Sequence, residues 1–277
     1  RNAVLSKDSG QRLGCYQCKA CMWGCPGSAI YNSAQEIPAL LRHANFRFQG
    51  STLVQKIVRV ENNFEISFTT DDGETAQTIM AHRVILAAGA LASTKIALEA
   101  LNRFDQEIPL QTTPCVSLAY CNPGRLGKPM DSQGFGMAQL AFLHSTGGAT
   151  GHDAFGLLYD ADSVSAVDIL TQSPLTFHGS RELVRLLLPS MMLGLVYFPG
   201  SFSANTVRLM RSRAGAASLI IRGDVTKTFK RGAEKTIRQV SRALRKCGVW
   251  RMPFSVSYLE PGADNHNGGT LPMGKTT

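Results

Sequence analysis

The residues best suited to redox or metal chemistry lie near the start of the chain, in GCYQCKACMWGCPGSAIY. Cys15, Cys18, Cys21 and Cys25 follow the spacing C-x2-C-x2-C-x3-C, with Pro26 directly after them. A loop with this spacing can turn successive sulfurs toward one iron–sulfur centre. The chain has no second cysteine run, so Cys25 has no second cluster to serve. The spacing therefore predicts either a [4Fe–4S] cluster with four ligands or a [3Fe–4S] cluster with three.

Other interpretations of these cysteines stay open. Zinc binds the same thiolates, although its structural sites usually come as two separated pairs. Buried thiols or a local disulfide are a further alternative. The chain could also be a ferredoxin-like electron carrier or metal-binding module without substrate chemistry. However, about 250 residues follow the motif, which indicates that a cluster would serve a larger function.

Two further stretches contain residues suited to chemistry. His266 stands in the Gly-rich loop HNGGTLPMG, and a neutral imidazole is well matched to accept a proton near pH 7. In RVILAAGALAST, residues 84–88 form a continuous apolar run that is followed by Gly89. Such a run predicts a strand buried on both faces, ending at a turn where a nucleotide can approach the backbone. A helix is expected to begin near Ala92.

Hydrophobic patterning predicts the elements that position these residues. STLVQKIVRV and NFEISFTT predict strands, and DDGE predicts the turn into a third strand, AQTIMAH. Residues 102–205 contain short alternating apolar runs that predict an antiparallel sheet, and NTVRLM and ASLIIRGD predict two more strands. Ser33 and Glu36 fit a capping box that opens a helix. The expected fold class is α/β: a partial Rossmann-like domain and a domain with an antiparallel sheet.

The longest apolar run and the charge pattern restrict the classes of partner. Residues 183–198 form a run that is shorter than a membrane span and contains Arg185 and Pro189, so we expect a buried helix broken at the proline and no transmembrane segment. The net charge of +9 is concentrated in residues 208–251, which contain thirteen Lys and Arg residues and only two acidic residues. Much of this segment has the period of a helix, at 228–249, with a solvated basic face. No aromatic nucleic-acid motif accompanies it, so no nucleic-acid partner is expected.

Several of these stretches, taken in order, resemble the glucose–methanol–choline (GMC) family of FAD-dependent oxidoreductases. RVILAAGALASTKIAL is similar to the second signature of that family, although EALNR stands here in place of the usual SGIG. HNGGTLPMG is similar to the family's H-x-x-G-T-x-x-M-G loop. STLVQKIVRV resembles a strand that contacts the adenine of FAD, and ANTVRL resembles a strand of the substrate domain. The cysteine segment, which ends in CPGSAIY, resembles that of a Cys-rich bacterial branch that includes FAD-dependent glucose dehydrogenases.

The resemblance implies a set of functional residues and a reaction. Val54, Ala88, Gly89 and Asn267 would contact FAD, and His266 would be the general base. The reaction would oxidise an alcohol, either a sugar or a hydrophobic alcohol, by hydride transfer to the flavin. In the glucose dehydrogenases three cysteines hold a [3Fe–4S] cluster that takes electrons from the flavin. A cluster here would imply a dehydrogenase that passes electrons to a cytochrome or quinone.

The resemblance also implies a domain organisation. Residues 1–101 would form part of the FAD domain with the Cys-rich loop, and residues 102–260 the substrate-binding domain. Residues 261–277 would return to the FAD domain with the catalytic loop. The family's G-x-G-x-x-G turn is absent, as is the segment with a second His or Asn after the catalytic loop. We therefore expect a fragment of a longer protein that lacks part of the FAD site and is inactive alone.

Overall fold

A computed structural model of the chain describes residues 4–70, 76–131, 133–145, 153–161, 176–212, 215–263, 266–272 and 274. The chain forms two compact units, each assembled from three segments. Unit 1 comprises Arg1–Glu36, Pro114–Pro199 and Lys227–Glu260, and unit 2 comprises Ile37–Thr113, Gly200–Thr226 and Pro261–Thr277. These boundaries differ from the three domains predicted from the sequence, which separate residues 1–101 from 102–260. The assignment of a cofactor role and a substrate role to separate domains stays a prediction.

The described residues contain helices and strands that we number in chain order. The strands are β1 (Thr52–Val60), β2 (Asn63–Thr70), β3 (Gln77–Ala81), β4 (Glu107–Pro109), β5 (Cys115–Cys121), β6 (Leu140–Ser145), β7 (Asp153–Asp160), β8 (Met191–Tyr197), β9 (Thr206–Arg211), β10 (Ala217–Arg222), β11 (Trp250–Arg251) and β12 (Ser257–Tyr258). The α-helices are α1 (Ile37–Leu40), α2 (Ala90–Ala100), α3 (Phe177–Leu187) and α4 (Phe229–Lys246). Short 3-10 helices occur at Ala20–Trp23, Ser33–Glu36, Pro123–Arg125, Leu188–Ser190 and Gly200–Phe202.

Unit 1 is organised around one antiparallel sheet with the strand order β11-β5-β8-β7-β6, in which β12 also pairs with β5. Strand β5 contributes much of the core of this sheet, since Cys115, Val116, Leu118 and Tyr120 are each 2% exposed or less. Helix α4 packs its apolar face on this sheet: the rings of Phe198 and Phe229 meet edge to face at 5.4 Å, and Ala233 and Ile237 are buried. The hydroxyls of Tyr120 and Ser241 are 3.3 Å apart. The predicted basic helix and the predicted antiparallel sheet are therefore both confirmed.

Unit 2 contains two smaller antiparallel sheets. Strands β1, β2 and β3 form a meander, and β9 pairs with β10 on one edge and with β4 on the other. Helix α2 packs against β1. Five of the six strands predicted in this unit are confirmed, and the exception, residues 84–88, is described below; the DDGE turn lies outside the described residues. The fold thus combines helices with antiparallel sheets, as expected for the α/β class, and the Rossmann-like part stays a prediction.

Three local predictions are wrong. Residues 84–88 do not form a strand: none of the described strands pairs with them, and the Ile85 side chain is 91% exposed. A strand buried on both faces needs neighbours that this run does not have. In residues 183–198 the helix ends at Leu187, and the apolar run continues as strand β8 beyond Pro189, because the sheet offers Met191 onward two partner strands. The helix expected after Ser33 is only a 3-10 turn followed by one turn of α1.

None of the helices within the described ranges combines the length and the apolar character that crossing a bilayer requires.

Candidate functional site

The cysteine segment folds back on itself in unit 1. The amide of Leu5 donates to the carbonyl of Ala29, the amide of Cys15 donates to the carbonyl of Leu5, and the amide of Leu13 donates to the carbonyl of Gly27, each at 2.9 Å. These bonds bring the two ends of the segment side by side. The residues between them, which include the other three cysteines, are thereby closed into a compact loop.

Left-handed backbone conformations turn this loop sharply on both sides of Cys18. Gln17 has a φ of 57° and Lys19 a φ of 58°, values that cost L-residues about 1 kcal/mol or more. Such conformations persist only where the surrounding contacts fix them. Here Gly134 supplies these contacts: its amide donates to the carbonyl of Gln17 at 2.8 Å, and its carbonyl accepts from the amide of Lys19 at 3.2 Å.

The 133–136 segment lies close against the cysteine loop at Gly136. A methyl group placed on this residue would lie 2.0 Å from the carbonyl oxygen of Lys19, which is well inside contact distance. Only glycine therefore allows the 133–136 segment to lie against the cysteine loop. Because Phe135, between these glycines, lines the same cavity as the cysteines, the contact also closes one side of the thiol site.

The four cysteines converge on a single small cavity. Cys15, Cys18, Cys21 and Cys25 line it together with Val4, Tyr16, Ala29, Ile30 and Phe135. All four are free thiols; Cys18 is exposed and the other three are partly buried. The amide of Ala29 donates to the Cys25 sulfur at 3.1 Å. Across the part of the chain that the structure describes, no three His, Cys, Asp or Glu side chains are close enough together to hold one metal ion.

The cysteine charges act on the neighbouring phenol. The pKa of Tyr16 is raised above its ordinary value, first by partial desolvation and then by the charge of Cys18 and a hydrogen bond with it; Cys25 and Cys15 contribute smaller charge effects in the same direction. A protonated phenol can donate to a thiolate, whereas a phenolate would be repelled by it. Tyr16 is therefore a polar neighbour of three of the four thiols.

Two clefts lie beside the cysteine loop in unit 1. One, of about 300 Å³, is lined by the charged side chains of Lys19, Arg125, Asp131 and Asp160 and by residues 188–192. The other is lined by Cys21, Cys25, Tyr31 and Gln35 among others. The side-chain oxygen Oε1 of Gln35 is buried without a hydrogen-bond partner in the described residues, which is unfavourable for an acceptor.

The Ala88–Gly89 turn in unit 2 leads into helix α2. Gly89 has a φ of 80°, a conformation that L-residues rarely adopt, and a methyl group placed there would meet no atom within 4 Å. The amide of Ala88 donates to the hydroxyl oxygen of Ser93 at 3.2 Å, which fixes the turn against the first turn of the helix. Ala88 and Gly89 are both exposed. A ligand can therefore approach this backbone closely, as the prediction for these two residues requires.

The His266 loop is fixed at both its backbone and its side chains. Gly268 and Gln111 exchange two backbone hydrogen bonds of 2.9 Å, one in each direction. Two residues later, the Thr270 hydroxyl lies 2.5 Å from the Thr94 hydroxyl of helix α2. Because the Thr94 proton is donated to the carbonyl of Ala90 at 2.6 Å, Thr270 is the donor and Thr94 the acceptor. The loop after His266 is thus bonded to helix α2, which begins directly after Gly89.

Structure and prediction can now be compared residue by residue. Val54 lies half-buried in β1 beside a register shift between Val54 and Lys56, and α2 packs on the same strand. His266 and Asn267 are exposed. The predicted catalytic and FAD-contacting residues therefore all belong to unit 2, and the four cysteines all belong to unit 1. Their roles stay predictions.

Sequence reasoning missed Thr94 and Thr270, which are 0% and 5% exposed. The only local signal was a threonine four residues before the buried Leu98, on the face of α2 that should be apolar. A buried hydroxyl at such a position needs a partner, and a partner 176 residues away cannot be located from sequence spacing.

No protein-family model matches this chain, and no curated protein matches it.

Proposed function

We propose that this chain forms part of a FAD-dependent alcohol oxidoreductase of the GMC type, in which His266 is the general base and the cysteine loop is an electron-transfer site. The observation that carries the proposal is the hydrogen bond from Thr270 to Thr94. It joins the imidazole-bearing loop to helix α2, which directly follows the open Ala88–Gly89 backbone. A general base and a place where a cofactor can approach the main chain then belong to one compact unit.

The chemistry assigned to the chain's own residues is proton transfer and positioning. His266 receives the proton of the substrate hydroxyl on an unprotonated ring nitrogen, a task suited to an imidazole near neutral pH. When bound, FAD would be the acceptor of the hydride from the carbinol carbon, and an iron–sulfur cluster at the cysteines would be an acceptor of single electrons. The bonds at Gly268 and Thr270 restrict the backbone of the loop that carries the imidazole, which would lower the entropic cost of the proton transfer.

We assign the cysteine loop to a cluster. The ligands of a cluster bind different iron atoms, so their sulfurs surround a shared space. The four thiols line one cavity, which supports shared ligation. The bond from the Ala29 amide to the Cys25 sulfur is of the kind that tunes cluster potentials. Cys25 is therefore assigned with Cys15, Cys18 and Cys21 to the site.

The base is tested in the full-length gene product by replacing His266 with Gln. We expect alcohol oxidation, followed with an artificial electron acceptor, to fall by roughly 10²–10⁴-fold, with flavin content unchanged. His43→Gln removes another exposed histidine of unit 2 and should leave the rate unchanged. Equal rates for His266→Gln and the unaltered protein would refute the assignment of the base.

The cysteine loop is tested by anaerobic purification with iron, zinc and flavin measured on the same sample. We expect iron and flavin without zinc, and loss of iron when Cys15, Cys18, Cys21 or Cys25 is changed singly to Ser. Cys247→Ser changes an exposed thiol outside the loop and should retain the iron. Zinc in place of iron, or iron unaffected by all four changes, would contradict the electron-transfer site. Iron without any flavin requirement would favour a ferredoxin-like module.

A further inference from the structure

Helix α4 presents a continuous basic face, centred on Arg238, Arg242 and Arg245. These residues are four and three positions apart, so they lie along one side of the helix, and all three are exposed. Together with Arg251 of strand β11 and with Ser241 and Trp250, they line one open groove. We call Arg238, Arg242, Arg245 and Arg251 the arginine face.

The positive charge of the arginine face exceeds the negative charge beside it. The one acid in α4, Glu234, lines a neighbouring pocket with Arg238 and Arg251, but in the described parts of the chain none of the four guanidinium groups forms an ion pair with a carboxylate. Like charges at this spacing repel one another, which costs a helix a few tenths of a kcal/mol per pair. An anionic partner placed over the groove would remove this repulsion and gain the attraction of all four groups.

Two aromatic side chains project from the same short segment. Trp250 is 52% exposed and Phe254 is 106% exposed. The turn that bears Phe254 is nevertheless held in place: the amide of Met252 donates to the carbonyl of Ala119 at 2.9 Å, and the Ser255 hydroxyl lies 2.8 Å from the carbonyl of Met252. Phe254 itself has a φ of 58°. The turn is therefore held by hydrogen bonds in a strained conformation that leaves the phenyl ring in water. A ring exposed in this way is suited to be buried against a partner.

The apolar face of α4 is already used inside unit 1, where Phe229, Ala233, Ile237 and Val240 are buried. The helix therefore cannot insert into an apolar phase, and a partner must approach from its basic side. Arginines beside exposed Trp and Phe form the combination that binds a membrane interface: headgroup phosphates contact the guanidinium groups, and the aromatic rings enter the boundary of the acyl chains.

We propose that the arginine face, with Trp250 and Phe254, is a docking surface for an anionic lipid bilayer. A single-stranded nucleic acid fits less well because the Arg245 guanidinium lies 5.6 Å from the centre of the Trp250 ring, so one of the two ring faces on which a base could stack is already occupied. Headgroup phosphates would bind that guanidinium without needing the ring face. A fully exposed phenyl ring gains most from an environment that excludes water.

The proposal is tested by flotation of the protein with vesicles of phosphatidylcholine alone or with a third of that lipid replaced by phosphatidylglycerol. We expect binding to the anionic vesicles that weakens as salt rises, and little binding to the neutral ones. Arg238→Gln, Arg242→Gln and Arg245→Gln together should weaken binding roughly a hundredfold, since each basic residue near such a surface contributes about fivefold. In a Trp23→Phe background, the fluorescence of Trp250 should shift to the blue on anionic vesicles only.

The control removes the same charge elsewhere, through Arg42→Gln, Arg47→Gln and Arg103→Gln, three exposed residues of unit 2. This triple variant should retain most of the binding, whereas Trp250→Ala with Phe254→Ala should lose most of it. Melting temperatures verify that each variant is folded. Equal loss in the two arginine triples, binding to neutral vesicles, or an unshifted Trp250 spectrum would overturn the proposal. So would binding of a single-stranded oligonucleotide or a polyglutamate peptide without vesicle binding.

Discussion

The Thr270 hydroxyl donates a hydrogen bond to Oγ1 of Thr94 across 2.5 Å, and the Thr94 hydroxyl donates one to the carbonyl of Ala90. Both side chains are almost fully buried, so this chain of hydrogen bonds is shielded from competition by water. It joins segments 176 residues apart and fixes the loop of His266 to helix α2. The position of the proposed base therefore depends on a contact remote from it in sequence.

Replacing Thr94 by Val should destabilise the protein by about 1–3 kcal/mol, because the buried Thr270 hydroxyl loses its acceptor. Adding Thr270→Val should cost much less than the sum of the two single changes, since both polar groups are then removed. Urea denaturation of the two single variants and the double variant measures this coupling. Thr206→Val removes an exposed hydroxyl that bonds Glu107 and should cost under about 1 kcal/mol. Strict additivity of the Thr94 and Thr270 changes would contradict the pairing.

Replacing Gly136 by Ala should destabilise unit 1 by about 1–3 kcal/mol, because the new methyl group would lie 2.0 Å from the Lys19 carbonyl oxygen. The cysteine loop has to move to relieve this clash, so its thiols should also react faster with a maleimide reagent. Gly50→Ala is the matched control, since its nearest neighbour is the Phe48 ring at 3.4 Å. A Gly136→Ala variant with unchanged stability and labelling rates would show that the 133–136 segment does not hold the loop.

Replacing Cys18 by Ser should lower the pKa of Tyr16 toward its ordinary value. Partial desolvation raises this pKa and would remain, but the Cys18 charge and hydrogen bond, which also raise it, would be lost. The sign follows because a neighbouring anion disfavours phenolate. Ultraviolet titration of the metal-free protein, with Tyr16→Phe subtracted, isolates this phenol. Cys247→Ser should leave the titration unchanged, and an identical Tyr16 titration in Cys18→Ser would refute the contact.

Replacing Ile237 by Ala should cost about 2–5 kcal/mol, since this side chain is 2% exposed between α4 and the sheet of unit 1. Lys235→Ala, on the exposed side of the same helix, should change stability by less than about 0.5 kcal/mol. Both free energies can be measured by chemical denaturation. Similar small effects for the two variants would mean that α4 is not packed on the sheet as described.

Local patterning predicted those elements whose stability is largely local. Strands β2 and β9 carry apolar residues two apart that include the buried Phe68, Val207 and Leu209. Helix α4 carries an apolar stripe, which packs inside unit 1. The spacing of the four cysteines indicated a common centre, and they do line one cavity. In each case the residues that carry the signal are neighbours in sequence.

Tertiary structure decided what the same patterns left ambiguous. Whether an apolar run forms a helix or a strand depends on the partners that the fold provides. Residues 191–197 form strand β8 between two other strands, whereas residues 84–88 pair with none of the described strands. The same holds for the bond between Thr94 and Thr270, for Gly136 against Lys19, and for Trp250 beside the arginines of α4. The sequence by itself determined which residues could bind metal, accept a proton or attract anions. Only the folded chain determined which of these residues are in contact, because the interaction free energy of two side chains depends on their distance in space and not on their separation in sequence.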